Sequence, residues 1–297
     1  MAKARRAPDE NLVLVALAAF CWGLSGGIAG ILVNAGWDAT VVAFYRGAIG
    51  LLFVFGWLAT HPARSGLADP LLWVWAIIAG LGVAGNFTFY FVSIENGSVA
   101  VAVTLMYCAP VYVYIVSFVL KLEAPNAYRW LGIGLVMLGI VLLTGIHDVA
   151  ASGLTMLGVA AGVLSGMCYA LFIFGFKFAT LHGSPQAVLT IALAALVAIV
   201  SWPADLDQVA AVPASSYLWL FILLGVLGAG VSFFLYVVGM RRARPTSAAV
   251  VAMVEPITAA LFAVAILGET LGGLQLAGMV LILFTVAALS IGSTAHD

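Results

Sequence analysis

Two ionisable residues, Arg46 and Glu255, lie inside long apolar stretches of the sequence. At the centre of a lone membrane helix, each would cost about 2.5–3.5 kcal/mol on insertion scales. Helix rise places them at depths that differ by about 6 Å in a hydrocarbon core of about 30 Å. One hypothesis is that both line an aqueous cavity and bind the carboxylate and the ammonium of a zwitterion. The other is a structural contact, made with each other or with the backbone.

Polar and aromatic side chains cluster in a few of the apolar stretches. An asparagine near mid-membrane needs a hydrogen-bond partner, and tyrosine offers a flat apolar wall that carries a hydroxyl. Core packing or interface anchoring would explain any one of these residues, whereas together they indicate a mid-membrane pocket. With Arg46 and Glu255, the candidate substrate-binding residues are Trp22, Asn86, Tyr90, Tyr107, Tyr169, Ser232 and Tyr236.

Two prolines, Pro110 and Pro256, fall in the middle of apolar stretches. Proline removes a helical hydrogen bond and tends to kink the helix. The matched positions are consistent with paired gates or hinges, and equally with bends that are purely structural.

The composition requires a lipid environment for these residues. The 297 residues are 65% hydrophobic and 8% charged, whereas a soluble domain carries about 25% charged residues. The three cysteines fall inside apolar runs and the four histidines are scattered, so we expect no disulfide, no metal and no cofactor. We predict ten spans, at residues 12–33, 39–60, 71–93, 98–120, 128–146, 153–178, 186–203, 216–240, 246–268 and 272–292.

The sequence is internally repeated at an offset of 146 residues. The pairs that match at this offset are Pro110/Pro256, Glu123/Glu269, Tyr90/Tyr236, Phe87/Phe233, Gly82/Gly228, Ala102/Ala248 and Gly132/Gly278. Cys21-Trp22 also matches Cys168-Tyr169, at an offset of 147. Five spans per copy is an odd number, so the second copy must enter from the opposite side. We therefore predict an all-α polytopic membrane protein of two inverted five-helix repeats, residues 1–146 and 147–297.

The basic residues predict the orientation. With the N-terminus placed in the cytoplasm, ten of the eleven basic residues fall on the inner side, as the positive-inside rule requires. Arg46 is the eleventh, and the C-terminus is then also cytoplasmic. The ten are Lys3, Arg5, Arg6, Arg64, Lys121, Arg129, Lys177, Arg241, Arg242 and Arg244.

Residues 80–85, Gly-Leu-Gly-Val-Ala-Gly, match the dinucleotide-binding pattern only formally. That motif needs a preceding strand and an acidic residue about twenty positions later, and here both flanks are apolar. Close helix packing through glycine explains the pattern better, and such glycine seams would also allow two bundles to rock. We expect no nucleotide and no nucleic-acid partner.

The Glu255-Pro256 pair, Leu267-Gly268-Glu269, the proline in spans four and nine and the inverted five-span repeats resemble the drug/metabolite transporter superfamily, EamA type. The resemblance covers essentially the whole chain. Lys121-Leu122-Glu123 departs from the pattern, so only the second copy matches fully. The sequence is also similar to the bacterial aromatic amino acid exporters of the YddG type. This implies an inner-membrane exporter of aromatic and other uncharged amino acids, with a central cavity bounded by spans one, three, four, six, eight and nine.

Transport by alternating access is the function that these features favour, with an amino acid as the small-molecule substrate and a monomer in the bilayer as the working form. The alternatives are an exporter of another small metabolite or drug, a channel, or an intramembrane enzyme. No span contains His-Glu-x-x-His or a paired-aspartate arrangement, which argues against an enzyme. A channel usually shows rings of charge or carbonyl filters.

Overall fold

In the computed structural model, residues 10–60, 62, 65–124, 126–145, 155–268 and 270–293 are described, and their regular structure is entirely helical. Fourteen α-helices, a short 3₁₀ turn at Val212–Ala214 and a π-helical turn at Val226–Val231 make up this part of the chain. The α-helices are α1 Glu10–Asn34, α2 Ala39–Thr60, α3 Pro70–Glu95, α4 Val99–Met106, α5 Ala109–Val119, α6 Ala127–Thr144, α7 Met156–Ala179, α8 Pro185–Val200, α9 Leu206–Ala211, α10 Leu218–Gly225, α11 Ser232–Met240, α12 Pro245–Val251, α13 Val254–Leu267 and α14 Gly273–Ser293.

Within the described residues, eight helical segments are long and apolar enough to cross a membrane. The apolar helices at Pro185–Val200 and Gly273–Ala288 are shorter. Eight of the ten predicted spans therefore reach spanning length, and the other two positions hold shorter apolar helices. The predicted repeat boundary at residue 146, together with Lys3, Arg5, Arg6, Arg64 and Glu269, lies outside the described residues.

Polar caps and prolines set the helix starts. Asp69 accepts a hydrogen bond from the Leu71 amide at 2.9 Å, and Asn126 accepts one from the Tyr128 amide at 2.8 Å. Such side chains satisfy amides that have no partner within the helix. Proline occupies the first position of α3, α8 and α12, where its missing N–H costs nothing.

The predicted spans four and nine are both interrupted. Span four divides into α4 and α5 at Tyr107 and Cys108, and span nine divides into α12 and α13 at Ala252 and Met253. Each interruption lies just before the mid-span proline, because proline cannot donate to the carbonyl four residues earlier. Breaks at equivalent positions divide each span into two shorter helices.

Helix packing follows a two-fold relation between the halves of the chain. α1 packs on α11, and its equivalent α7 packs on α3. In the same way α1 packs on α12 and α13, while α7 packs on α4 and α5. Two further pairs join equivalent helices of the two halves directly, α2 with α8 and α6 with α14, and α5 packs on α12, which is the counterpart of α4. The second half thus repeats the contacts of the first with the partners exchanged.

Glycines allow the tightest helix contacts. A Cβ atom at Gly82 would lie 2.6 Å from the Phe172 amide nitrogen, and one at Gly278 would lie 2.6 Å from the Gly139 carbonyl oxygen. In lipid, helices associate largely through such van der Waals contact. The glycine seams at α3–α7 and α6–α14 are therefore packing contacts, as the sequence predicts for residues 80–85.

Gly278→Val is expected to lower the melting temperature in detergent, because it forces apart two backbones that touch. Overpacking typically costs about 1–3 kcal/mol. Gly134→Val is the matched control, since no atom of the residues that the structure describes lies within 4 Å of a Cβ at that position of α6. Equal melting temperatures for the two variants would contradict the packing of α6 on α14.

At one end of the bundle, charged side chains of α7 and of the loops around α5 and α12 make contacts between helices. We call this end the basic face. The Lys177 ammonium donates to the carbonyls of Met240, Arg241 and Ala243 at 3.0, 3.3 and 2.7 Å. Glu123 forms an ion pair with Arg129 and accepts a hydrogen bond from Thr246 at 2.6 Å. These contacts join α7, the α11–α12 loop, α12 and the α5–α6 loop at the same end.

Candidate functional site

Glu255 lies at the break in span nine, in the first turn of α13. The Tyr169 hydroxyl of α7 donates to its Oε2 atom at 3.4 Å, and Tyr107, at the break in span four, is a second hydroxyl partner of the carboxylate. Both tyrosines are buried, at 3% and 5% exposure, whereas Glu255 is partly exposed. The carboxylate is thus held from one side by two hydroxyls and remains accessible from another.

Arg46 approaches the same region from α2. Its Nε atom donates to the Gly228 carbonyl oxygen at 3.0 Å, in the π-helical turn Val226–Val231. Its guanidinium carbon lies 5.1 Å from the centroid of the Phe87 ring, which is the geometry of a cation–π contact. The side chain is partly exposed.

Arg46 and Glu255 are electrostatic neighbours but not a direct ion pair. Each contributes to the electrostatic environment of the other. Among the described residues, the nitrogen–oxygen contacts within 4.0 Å that define ion pairs are Arg129–Glu123 and His182–Asp69. Neutral partners therefore hold the two opposite charges near one another without contact.

Asn86 makes its hydrogen bonds inside the α3–α7 seam. Its Nδ2 atom donates to the Ser165 carbonyl at 3.1 Å and to Ser165 Oγ at 3.0 Å, and Ser165 Oγ donates back to the Asn86 carbonyl at 2.9 Å. Both residues are at most 3% exposed. The sequence predicts that Asn86 needs a partner but not which one. Ser165 lies between Gly162 and Gly166 of α7. Small residues of this kind indicate a helix interface but not which helix forms it.

Five rings of α1, α7 and α11 pack together, and we call them the aromatic plug: Trp22, Phe172, Phe176, Phe233 and Tyr236. Along their helices, Phe176 and Tyr236 are close to Lys177 and Met240 of the basic face. The Trp22 centroid lies 5.1 Å from that of Phe233 and 5.0 Å from that of Tyr236, and Phe176 lies 5.6 Å from Phe233. None of the five side chains is more than 4% exposed. Trp22 and Tyr236 are predicted site residues, whereas Phe172 and Phe176 carry no signal that separates them from other apolar residues.

The opposite half of the bundle is not closed in this way. An offset of 147 relates Phe172 to Ser25 (172 − 147) and Phe176 to Ala29 (176 − 147), so small residues replace two rings of the plug. Phe87 and Tyr90, which an offset of 146 relates to Phe233 and Tyr236, are partly exposed. The asymmetry between the halves therefore includes both side-chain size and exposure.

The helix face of α1 that carries Trp22 changes its environment along the helix. Toward the basic face, Val15 and Ala19 on this face are completely buried. Gly26 and Gly30 continue the same face, four and eight residues beyond Trp22, and among the described residues no atom lies within 4 Å of a Cβ at either position. Val13, Leu17 and Phe20 form the other exposed face, on the opposite side of the helix. One side of α1 thus borders packed rings in one half and open space in the other.

Three polar atoms in and beside the plug lack a hydrogen-bond partner within the described residues: Trp22 Nε1, Ser232 Oγ and Tyr236 OH. All three are fully buried. An unmade hydrogen bond of this kind costs about 1–3 kcal/mol. The closed packing of the aromatic plug therefore leaves three buried polar groups, each of which would be stabilised if water could hydrogen-bond to it.

A separate polar contact joins two loops on the basic face. His182 Nδ1 and Asp69 Oδ2 are 2.8 Å apart. The Leu71 amide and, next, the His182 side chain hold the pKa of Asp69 below its ordinary value. A carboxylate with a lowered pKa stabilises the fold above its unfolded pKa, and this contribution is lost as the pH falls through the folded pKa.

Asp69→Asn is accordingly expected to lower the melting temperature slightly at neutral pH, while keeping the capping oxygen. The difference from the unmodified protein should shrink at acidic pH, once Asp69 itself is protonated. Melting temperatures measured from pH 7 down to pH 3, with the exposed carboxylate change Asp207→Asn as control, test this. A difference that does not depend on pH would contradict it.

The helices are long enough to span a membrane, the two halves of the bundle repeat each other's contacts, and two opposite charges lie near its centre. Together these features define a multi-pass membrane transporter. The family model of the EamA-like transporter family matches the chain twice, over residues 11–145 and 156–291. The protein therefore belongs to the EamA-like transporter family, within the drug/metabolite transporter superfamily, and is a transporter rather than an enzyme.

Several known proteins are similar over most of their length. An uncharacterized transporter of Archaeoglobus fulgidus is 32% identical over 270 residues, which cover 88% of this chain and 90% of that protein. The threonine/homoserine exporter RhtA of Escherichia coli (strain K12) is 27% identical over 261 residues, covering 85% and 81%. A solved structure aligns with a TM-score of 0.77 at 18% identity, over 98% of this chain and all of that one, and it supports the fold alone.

Proposed function

We propose that the protein exports uncharged amino acids, aromatic ones included, across the bacterial inner membrane by alternating access. In this proposal ten spans form two inverted repeats around one chamber, the basic face is cytoplasmic with both termini, and a monomer is the working unit. The similarity to a threonine/homoserine exporter supports an amino acid as the substrate. The rings of Phe87, Tyr90, Tyr107 and Tyr169 around the charges support the acceptance of aromatic side chains.

The change along one face of α1 is the observation that carries the alternating-access mechanism. That face is sealed by the aromatic plug toward the basic face and borders open space at Gly26 and Gly30. A chamber sealed at one end and open at the other corresponds to one of the two states of a carrier. The exchanged packing partners of the two halves support a second state in which the seal is at the other end.

Hinges at the two breaks would permit the exchange. Pro110 and Pro256 leave spans four and nine divided at equivalent positions, with Tyr107 and Glu255 at the breaks. The unpartnered polar atoms of Trp22, Ser232 and Tyr236 would be hydrated once the plug opens. Their cost when the plug is closed would keep the two states close in free energy.

Counterflow in proteoliposomes tests the function. Vesicles are loaded with unlabelled threonine or phenylalanine, and uptake of the labelled amino acid is followed. Saturable exchange is the expected result. Conductance without saturation would indicate a channel instead, and chemical conversion would indicate an enzyme. If neither phenylalanine nor tryptophan inhibits uptake of the labelled amino acid, aromatic amino acids are excluded as substrates and another class of metabolite is favoured.

A further inference from the structure

The open sides of Arg46 and Glu255 are the feature from which more can be inferred. In the described part of the chain, the Arg46 guanidinium makes one hydrogen bond, from Nε to Gly228, so its two Nη groups have no protein partner. The fully buried polar atoms without a partner lie elsewhere, so the Nη groups reach accessible space. This is the edge of a guanidinium that binds a carboxylate through two parallel hydrogen bonds.

Glu255 shows the complementary arrangement. Tyr169 and Tyr107 act on its carboxylate from α7 and from the break in span four, yet the residue remains partly exposed. A carboxylate that two hydroxyls orient, and that has no cationic side chain of the described residues within 4.0 Å, can still accept hydrogen bonds from an ammonium group.

Neutral anchors keep the two charges from neutralising each other. Gly228 and Phe87 hold the guanidinium on one side, and the tyrosines hold the carboxylate on the other. A direct ion pair would satisfy both charges without a ligand. The observed separation leaves a cationic group and an anionic group at one chamber, which matches a ligand that carries one charge of each sign.

We infer that Arg46 binds the α-carboxylate and Glu255 binds the α-ammonium of a zwitterionic amino acid, with Phe87 and Tyr90 beside its side chain. This inference rests on the proposed function and specifies the recognition at that same site. A free amine or a free carboxylic acid would satisfy only one of the two charges and leave the other without a partner from the ligand. The site therefore selects zwitterions over both.

The test compares three ligands of one shape in the purified full-length protein. Phenylalanine carries both charges, 2-phenylethylamine lacks the carboxylate, and 3-phenylpropionate lacks the ammonium. Binding is measured by ligand-induced shifts of the melting temperature and by competition with labelled phenylalanine in counterflow. We expect phenylalanine to bind at least about tenfold more tightly than either analogue, which corresponds to about 1.4 kcal/mol.

Variants assign each charge to its partner. In Arg46→Gln, phenylalanine and 2-phenylethylamine should bind equally, because the group that distinguishes them has been removed. In Glu255→Gln, phenylalanine and 3-phenylpropionate should bind equally. Arg242→Gln, which removes an exposed arginine of the basic face, should keep the preferences of the unmodified protein.

The outcomes separate two kinds of failure. If the unmodified protein exchanges neither labelled threonine nor labelled phenylalanine, the proposed function fails. If it exchanges amino acids but Arg46→Gln and Glu255→Gln leave the ligand preferences unchanged, the inference fails while the function stands. Arg46→Lys keeps the charge without the planar fork and should retain part of the preference. If Arg46→Gln does not fold, the comparison of phenylalanine with 3-phenylpropionate in Glu255→Gln decides in the same way.

Discussion

Gly26→Phe is expected to reduce transport by at least about tenfold, a loss that corresponds to about 1.4 kcal/mol. Gly26 continues the face of α1 that carries Trp22, and in the described part of the chain a Cβ there meets no atom within 4 Å. A side chain can therefore begin at this position without a clash, and a benzyl group would extend into the open half of the chamber. Counterflow of a labelled amino acid measures the loss, and the melting temperature should change little.

Gly56→Phe is the matched control for this prediction. A Cβ at Gly56 also meets no atom of the described residues within 4 Å, but Gly56 lies in α2 next to the exposed side chains of Phe53 and Phe55. Full transport by Gly56→Phe together with loss by Gly26→Phe supports an open path along α1. Unimpaired transport by Gly26→Phe would show that this face of α1 does not border the path.

Phe176→Ala is expected to shift the protein toward the state that is open at the basic face. Removing a fully buried ring from the plug creates a cavity, at a cost of about 3–5 kcal/mol in a well-packed core. This cavity destabilises only the state in which the plug is closed. In the variant, water would also reach the unpartnered Tyr236 hydroxyl more easily. A cysteine introduced by Ser232→Cys should consequently react faster with a polar thiol reagent added on the basic side.

Phe174→Ala provides the comparison for the plug. Phe174 lies on the same helix and is buried, but it stacks on Phe178 and is not part of the plug. The Phe174→Ala variant should lower the melting temperature without increasing the reactivity of the cysteine at position 232. Equal reactivity in the two variants would mean that the rings of the plug do not form the seal.

The large features of the fold could be predicted from the sequence because they depend on local chemistry. The positions of the helices follow from runs of apolar residues, and the interruptions at Tyr107 and Ala252 follow from Pro110 and Pro256. The offset of 146 residues anticipates the exchanged packing partners of the two halves. None of these features depends on how a helix is rotated about its axis.

The site could be predicted only in part, because its geometry depends on the rotation of each helix about its axis and on contacts between residues that are far apart in the sequence. The sequence singles out Arg46, but its partner Gly228 is 182 residues away. Tyr90 and Tyr236 are equivalent in sequence, yet Tyr236 is fully buried in the plug while Tyr90 is partly exposed. Gly82 lies within a regular α-helix, whereas the equivalent Gly228 lies in a π-helical turn. Packing between helices sets these differences, and no local pattern records them.

Thiol accessibility measured from both sides of one membrane tests the central claim most directly. In a background with Cys21, Cys108 and Cys168 changed to serine, Gly26→Cys and Ser232→Cys are labelled separately by an impermeant reagent. We predict that Gly26→Cys reacts only from the side opposite the basic face and Ser232→Cys only from the basic side, and that conditions raising one reactivity lower the other. Simultaneous labelling of both positions from the same side would contradict a single chamber with alternating access.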